Sequence, residues 1–483
     1  MKSYTVQAMR ELDRRTVAEG FASGIELMEQ AGYGLFRAVM RFSKNFFMPD
    51  FLLLAGKGNN GGDVFVLARH MAETGVRFRL CMLCSPDELS GDAAEAFRRM
   101  PPLEIKRELR SGDFHPGTVV VDGLLGTGAS GLPRSPIDRW IRLVNRSGCP
   151  VVAVDIPSGM NGTDGSAELC IRADLTVTMA GVKQGMILNP APCGRLEVVK
   201  IGIPDAYLEE AGGPLELFGA EDAAAFFRRE AFDTYKNRRG HLLVAGGSPL
   251  YASAPFLSAE AALYCGAGLV TVNIPEDTEI FCSVPKALIV RKGEAAELLA
   301  GKQAIAAGPG MGTAQSAVKK LKELLSAGLP TVLDADALNI IAQHPEILEH
   351  APEETILTPH AGELARLCKG FHIADNDARK LAMLTGCTVL AKSPRTLVIS
   401  PDGDCSINLS GCPALATAGS GDVLTGICGA LLANGMNAFN AARCGAFLHG
   451  ATGEMLVPCG SFGITADDLA ENVGKARQNF YGL

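Results

Sequence analysis

Short apolar, β-branched runs alternate with helix-patterned segments along nearly the whole chain, and this alternation limits the fold more than any other feature. In the first half, FLLLAG from Phe51, FRLCMLC from Phe78, TVVVDG from Thr118, VVAVDIP from Val151, LTVTM from Leu175 and LEVVKIGI from Leu196 read as strands. Near-continuous apolar strands separated by helices are the pattern of parallel sheets covered on both faces. Helices are expected over Val6–Glu19, Ser23–Phe42 and Asp63–Glu73, from Ser90, and from Ser135 as N-cap with Pro136 at the first helical position. The pattern lapses over Pro204–Ala220, where paired Gly and Pro interrupt any period. It restarts with HLLVAGG, a helix from Ser253, LVTVNIP, ALIVR, QAIAAGP, a helix from Thr313, TVLDAD, TILTPH, TVLAKS and TLVIS. From Ser420 onward the chain reads as mostly helical. The expectation is an α/β protein of two doubly wound domains, 1–215 and 220–483, with no internal repeat between them.

Composition removes several function classes. A hydrophobic content of 47% with 20% charged residues excludes a disordered polymer. A net charge of −8 with 6% aromatics argues against a nucleic-acid partner. The first twenty residues carry charges where a signal peptide needs its apolar stretch. The most apolar helical region, Val423 to Val457, is broken by Asn434, Asn437, Asn440 and Arg443 and reads as buried helices, not a membrane span. Cys81 and Cys84 form a C-x-x-C in a strand-like run, where residues three apart face opposite sides and cannot share a metal. A cytoplasmic protein with reduced thiols is expected.

The glycines fall where ligands bind in such sheets, at the carboxyl ends of strands. The stretch Gly56-Lys57-Gly58-Asn59-Asn60-Gly61-Gly62-Asp63 follows a strand and precedes a helix, so its N–H groups can face a phosphate. It is not a Walker A loop, since G-K-S/T is absent, and a tight structural turn is the competing reading. Asp122 and Asp155 stand at two further strand tips, where carboxylates bind cations, act as general acid or base, or simply cap helices. In the second half, Ala418 to Asp422 (AGSGD) opens a helix. The Gly-Ser-Gly turn makes an anion hole, and Asp422 is placed to take a proton from a hydroxyl attacking a phosphoryl group. Asp334, Asp336 and Asn339 in LDADALN, His360 and Glu363 in TPHAGELARL, and Gly308, Gly310 and Gly312 in AAGPGMG lie upstream at other strand ends.

On GKGNNGGD, VDGLLGTGASG, VDIPSGMNGTDG and ADLTVTMAGVKQG, in that order, most of residues 1–215 resembles the NAD(P)HX epimerase, or YjeF N-terminal, family. The resemblance implies a Rossmann-like three-layer domain binding a hydrated nicotinamide dinucleotide beside a potassium ion. It implies that Asn59, Asn60, Gly61, Gly62 and Asp63, with Gly126, Thr127, Gly128, Ala129, Ser130, Gly131 and Leu132, line the dinucleotide site. Asn60, Asp122 and Ser158 would hold potassium, and Asp155 would meet the hydrate as acid or base, with Lys183 assisting. Val64 stands where the family has Gly, at a position read as the opening of the helix.

From about Gly240 onward the chain resembles the ADP-dependent NAD(P)H-hydrate dehydratases of the ribokinase-like superfamily, on SAPFLSAEAALYCGAGLVTVNIPED, AAGPGMG, VLDADALN, LTPHAGELARL and LATAGSGDVLTGICGALLANG. Ala254, Gly312 and His360 would contact the hydrate. Lys392, Ser393, Pro394, Arg395, Thr396 and Gly421 would contact the adenine nucleotide, and Asp422 would be the base. Asp336, Asn339 and Glu363 would form polar or metal-linked surroundings. Tyr235-Lys236-Asn237 replaces the family's His-Lys-Gly, implying weaker substrate or lid contacts, and Ser393 replaces a Gly against the nucleotide. The two resemblances imply epimerisation of (R)- to (S)-NADHX or NADPHX, then dehydration with ADP and Mg²⁺ to NAD(P)H, AMP and phosphate. A homo-oligomer without nucleic-acid or membrane partners is expected. A ribokinase-like small-molecule kinase fused to a non-catalytic ligand-binding domain is the alternative.

Overall fold

The computed structural model describes residues 2–129, 131–213, 215–227, 229–280, 282–458 and 462–480. The chain divides into two compact units, Met1–Glu216 and Leu217–Leu483. Within the stretch read as patternless lie a helix, Asp205–Ala211, and a strand, Glu216–Phe218, that forms the edge of the second sheet. Both are too short to establish a period in the sequence.

The first unit holds a seven-stranded sheet in the order Ile105–Lys106, Phe78–Met82, Asp50–Ala55, Thr118–Gly123, Val151–Val154, Leu175–Met179, Arg195–Val199. Every pairing is parallel. The strand order reverses between Asp50–Ala55 and Thr118–Gly123, the crevice in which open α/β sheets take ligands. Leu52, Leu54 and Val120 pack on Trp140, Ile141 and Val144 of the helix Ile137–Ser147. The alternate residues Phe51, Leu53, Val119 and Val121 are equally buried on the opposite face, on the side of the mutually packed helices Gly24–Ser43 and Asn59–Glu73. This is a three-layer Rossmann-like arrangement.

Three local expectations shift. Pro136 is the N-cap of its helix, which starts at Ile137. Cys84 lies beyond the strand Phe78–Met82, and both it and Cys81 are buried free thiols. The helix after the first strand begins at Asn59, so Asn59 to Asp63 form its first turn and not a loop before it. The glycines there serve close packing. A Cβ at Gly61 would collide with the carbonyl oxygen of Gly56, and one at Gly62 would meet Met28 Sδ at 2.5 Å. Val64 lies inside that helix, fully buried against Gly123.

The second unit holds a ten-stranded sheet around His241–Ala245. Leu269–Ile274 and Ile289–Lys292 run parallel on one side. Ala304–Ala307, Thr331–Leu333, Thr355–Leu357 and Thr388–Ala391 run parallel on the other, followed by antiparallel Leu397–Ile399 and Cys405–Asn408. Leu242 and Val244 pack under the helices Ala254–Cys265, Ser420–Ala433, Ala438–Leu456 and Ala466–Gln478. Leu243 and Ala245 pack under Gln315–Leu325, Asp336–Gln343 and Ala361–Gly370. Order reverses between His241–Ala245 and Ala304–Ala307, placing Gly246 to Ser253 and Gly308 to Gly312 over this sheet's own crevice. Among the described residues no helix is long and apolar enough to cross a membrane.

Two candidate active sites at strand ends

In the first unit, Asp122, Ser158 and Asn60 converge at the crevice. Asp122 is fully buried and accepts from Ser158 N at 2.9 Å, Ser158 Oγ at 2.6 Å and Leu124 N at 3.3 Å. Asn60 Nδ2 donates to Leu125 O at 3.1 Å and Val154 O at 2.6 Å, tying neighbouring strand ends together. Burial pushes Asp122 up to about 6, and its hydrogen bonds with Ser158 and Leu124 oppose the rise. The result is a buried carboxyl beside the oxygens of Ser158 and Leu125, with no Lys or Arg paired to it among the described residues, oxygens of the kind a hard cation takes.

Beside it, Asp155 adopts a left-handed backbone (φ 62°), strain that turns its side chain out of the strand path. Its Oδ1 accepts from Met179 N at 3.1 Å, Thr178 Oγ1 at 3.2 Å and the Lys183 ammonium. Lys183 is itself buried, donating also to Thr178 Oγ1 at 2.9 Å and Met179 O at 3.0 Å. The helix Val6–Ala18 is drawn to this point because Ser3 and Tyr4 pair in parallel with Val182 and Lys183. Arg10 on that helix donates to Thr127 O at 2.8 Å. Asp13, one turn on, is exposed; partial desolvation of its carboxyl and the charge of Asp155 raise it, and Lys183 opposes. Gly126 packs on the Asn60 amide, and Leu132 is exposed; Ser130 lies outside the described residues.

In the second unit the site stands on the carboxyl ends of the parallel strands. Asp334, almost fully buried, accepts from Lys392 Nζ at 2.8 Å and Thr425 Oγ1 at 2.7 Å. Glu363, also buried, lies 3.8 Å from Lys392 Nζ and 3.4 Å from His360 Nε2. His360 caps the helix Ala361–Gly370, its Nδ1 accepting from Gly362 N at 3.0 Å. Asp336 accepts from Gly312 N at 2.8 Å and from Asn339 Nδ2 at 3.2 Å, and Ala335 between the two aspartates has φ 48°. Gly419, at φ 84°, turns the chain into the helix Ser420–Ala433. A Cβ at Gly421 would stand 3.5 Å from Lys392 Nζ and 3.6 Å from Asp334 Oδ2. Burial, then the charges of Asp334, Asp336 and Glu363, push Asp422 up to about 7, while Lys392 opposes. His449 contacts Ser420 Oγ at 2.9 Å, and burial lowers it to about 4, so the pair is neutral.

A family model described as NAD(P)H-hydrate dehydratase matches residues 242–475, and one described as YjeF-related protein N-terminus matches residues 24–185. The bifunctional NAD(P)H-hydrate repair enzyme Nnr of Moorella thermoacetica is 36% identical, over 93% of this chain and 91% of that protein. Its counterpart in Coxiella burnetii is 34% identical, over 96% and 97%. The chain belongs to the family of bifunctional NAD(P)H-hydrate repair enzymes. For the fold of the second unit, a ribokinase-like superfamily protein from Enterococcus faecalis superposes with a TM-score of 0.50 at 23% identity, covering 56% of this chain and 98% of that one.

Against the family pattern, the structure sorts the sequence-derived residues. Ala254 opens its helix beside Gly310, and Gly312, Asp336, His360, Glu363 and Asp422 share one strand-end cluster. Ser393 and Thr396 bond each other across a self-contained turn, and Pro394 lies within it. Arg395 is turned inward, donating to Leu409 O at 2.8 Å, while Lys392 reaches Asp334 and Ser393 and Pro394 are exposed. Tyr235-Lys236-Asn237 is at the wrong end for a lid of the repair-family site. Lys236 O abuts Gly268, and Gly240 abuts Ala433, both at the amino ends of the strands. Asp334, Thr425, Arg10 and Asp13 were not assigned roles from sequence. Asp334 had a strand-tip signal; the other three carry none, because each matters through a partner distant along the chain.

Proposed function

We propose that the chain repairs hydrated nicotinamide dinucleotides in two steps. Residues 1–215 interconvert (R)- and (S)-NAD(P)HX at C6, and residues 220–483 dehydrate the S form at the expense of ADP. The observation that carries the second step is Asp422 in the first turn after Gly419, raised to about 7 among Asp334, Asp336 and Glu363. A base of that strength takes the proton from the C6 hydroxyl as its oxygen bonds to the β-phosphorus of ADP and the bond to AMP breaks. The N–H groups of the 419–422 turn face the charge developing on the transferred group. Loss of the C6 phosphate with the C5 proton restores the dihydropyridine. Mg²⁺ enters with the nucleotide phosphates as part of that substrate.

In the first unit, Asn59 to Asp63 and Gly126 to Leu132 border the hydrate, and Asp155 is the residue that exchanges a proton with it. Asp122, Ser158 and Asn60 would hold potassium, whose charge offsets the buried carboxylate and orders the strand ends around it. Membership of the repair family over nearly the whole length favours this reading over a fused small-molecule kinase. The test is to incubate the protein with mixed hydrates and ADP or ATP and follow dihydronicotinamide absorbance. Full recovery is expected; recovery of the S fraction alone would remove the epimerase assignment, and no recovery with either nucleotide would remove the dehydratase one.

A further inference from the structure

The hydrate is a cyclic hemiaminal, with C6 bonded both to the hydroxyl oxygen and to ring nitrogen N1. Inverting C6 requires a bond to that carbon to break and re-form. Breaking C6–N1 as the hydroxyl loses its proton gives an aldehyde and an N–H group in the opened ring. Rotation about C5–C6 and reclosure on the other face yields the epimer. The opening needs one group to take a proton and a second to give one, and the closing returns both protons, so neither residue is consumed.

The first site holds two carboxyls in opposite situations. Asp155 has three donors on Oδ1, one of them the Lys183 ammonium, an arrangement made for the carboxylate; no protein donor meets Oδ2 among the described residues. Asp63 stands in the first turn of the helix Asn59–Glu73, only 6% exposed, and its carboxyl has no hydrogen-bond partner among the described residues. Burial without a donor favours the protonated form of a carboxyl. We propose that Asp63 is a catalytic acid that delivers a proton to N1 while Asp155 Oδ2 takes the C6 hydroxyl proton, making epimerisation a ring opening and reclosure between two aspartates.

The charges of three groups, Asp155, Lys183 and Asp13, act on Asp63. Burial, with Asp155 and Asp13, holds its carboxyl well above the usual range, and Lys183 opposes them. Separation of two carboxyls by their surroundings is how one site holds an acid and a base at one pH. Asp13 acts through Asp63, as a positioning charge carried in by the amino-terminal helix, which Arg10 fixes to Thr127.

The inference rests on the reading of Asp155 as the epimerase base, and the variants separate the two. In the intact chain, D63N should lower epimerisation kcat by at least ~100-fold with KM little changed, and the residual rate should lose the alkaline fall that an essential acid imposes. D13N should move that alkaline fall to lower pH, because a negative neighbour favouring the protonated acid is gone. In ¹⁸O-water the C6 oxygen should be retained through epimerisation. A D63N enzyme with raised KM and unchanged kcat would make Asp63 a binding group and overturn the inference. Incorporation of one solvent oxygen per inversion would overturn the ring opening in favour of water loss and return. Wild-type epimerisation by D155N would instead overturn the underlying assignment of Asp155.

Discussion

Asp422 and Asp122 show how burial, more than residue type, sets what a carboxyl does in this chain. Burial and three neighbouring carboxylates bring Asp422 to about 7, and a base works only when ionised. Dehydration of the S hydrate should therefore fall about tenfold per pH unit below about 7 and level off above it, and D422N should lose ~10²–10⁴-fold in kcat. A rate flat down to pH 5 would count against Asp422. Asp122 is raised to about 6 from an ordinary ~3.9. A carboxyl raised in the folded state favours folding fully below about pH 4, and that contribution is lost as pH rises through about 6. A bound cation acts in the opposite sense, stabilising the ionised form. Potassium should thus raise the melting temperature at pH 8 and much less at pH 5, and D122N should abolish the difference; a pH-independent potassium effect would point to other ligands.

The first turn of Asn59–Glu73 is the element on which the first site depends. Gly61 has no room for a side chain because Gly56 O occupies the position a Cβ would take. G61A must push the helix start away from the crevice, displacing Asn60 from Leu125 O and Val154 O and moving Asp63 with it. Epimerisation should drop by at least ~100-fold, the scale on which a misplaced reacting group costs rate. Dehydration, measured on pure S hydrate in the same preparation, should be retained. In the second unit the corresponding tie runs from Thr425 to Asp334 to Lys392, fixing the helix that carries Asp422 to two strand ends.

Across the whole molecule, each unit has its own sheet, its own core and its own crevice. The two activities should accordingly be separable by single substitutions. With mixed hydrates and ADP, D155N should stop after the S fraction is consumed, apart from spontaneous epimerisation. D422N should bring R and S to equilibrium and recover no NAD(P)H. Loss of both activities from either substitution, in a protein that keeps its melting temperature, would contradict independent sites.

Local periodicity and turn chemistry made much of this legible in the sequence. Runs such as TVVVDG and HLLVAGG are buried strands because no alternation of polar residues interrupts them; Asp155 stands out at a strand tip, and Asp422 stands out in the Gly-Ser-Gly turn that opens a helix. Helix starts were less accurate at Asn59, where the glycines pack within a helical turn that resembles a loop in composition. Tertiary structure alone decided the rest. Arg10 and Asp13 reach the first crevice only because Ser3 and Tyr4 pair with Val182 and Lys183, far along the chain. Tyr235-Lys236-Asn237 falls at the amino ends of the strands, away from the site its position in the family pattern implies. The protonation of Asp63, Asp122 and Asp422 depends on desolvation and on charges brought from other strands. A sequence fixes which groups can titrate; their distances from water and from one another, which set when they do, exist only once the chain is folded.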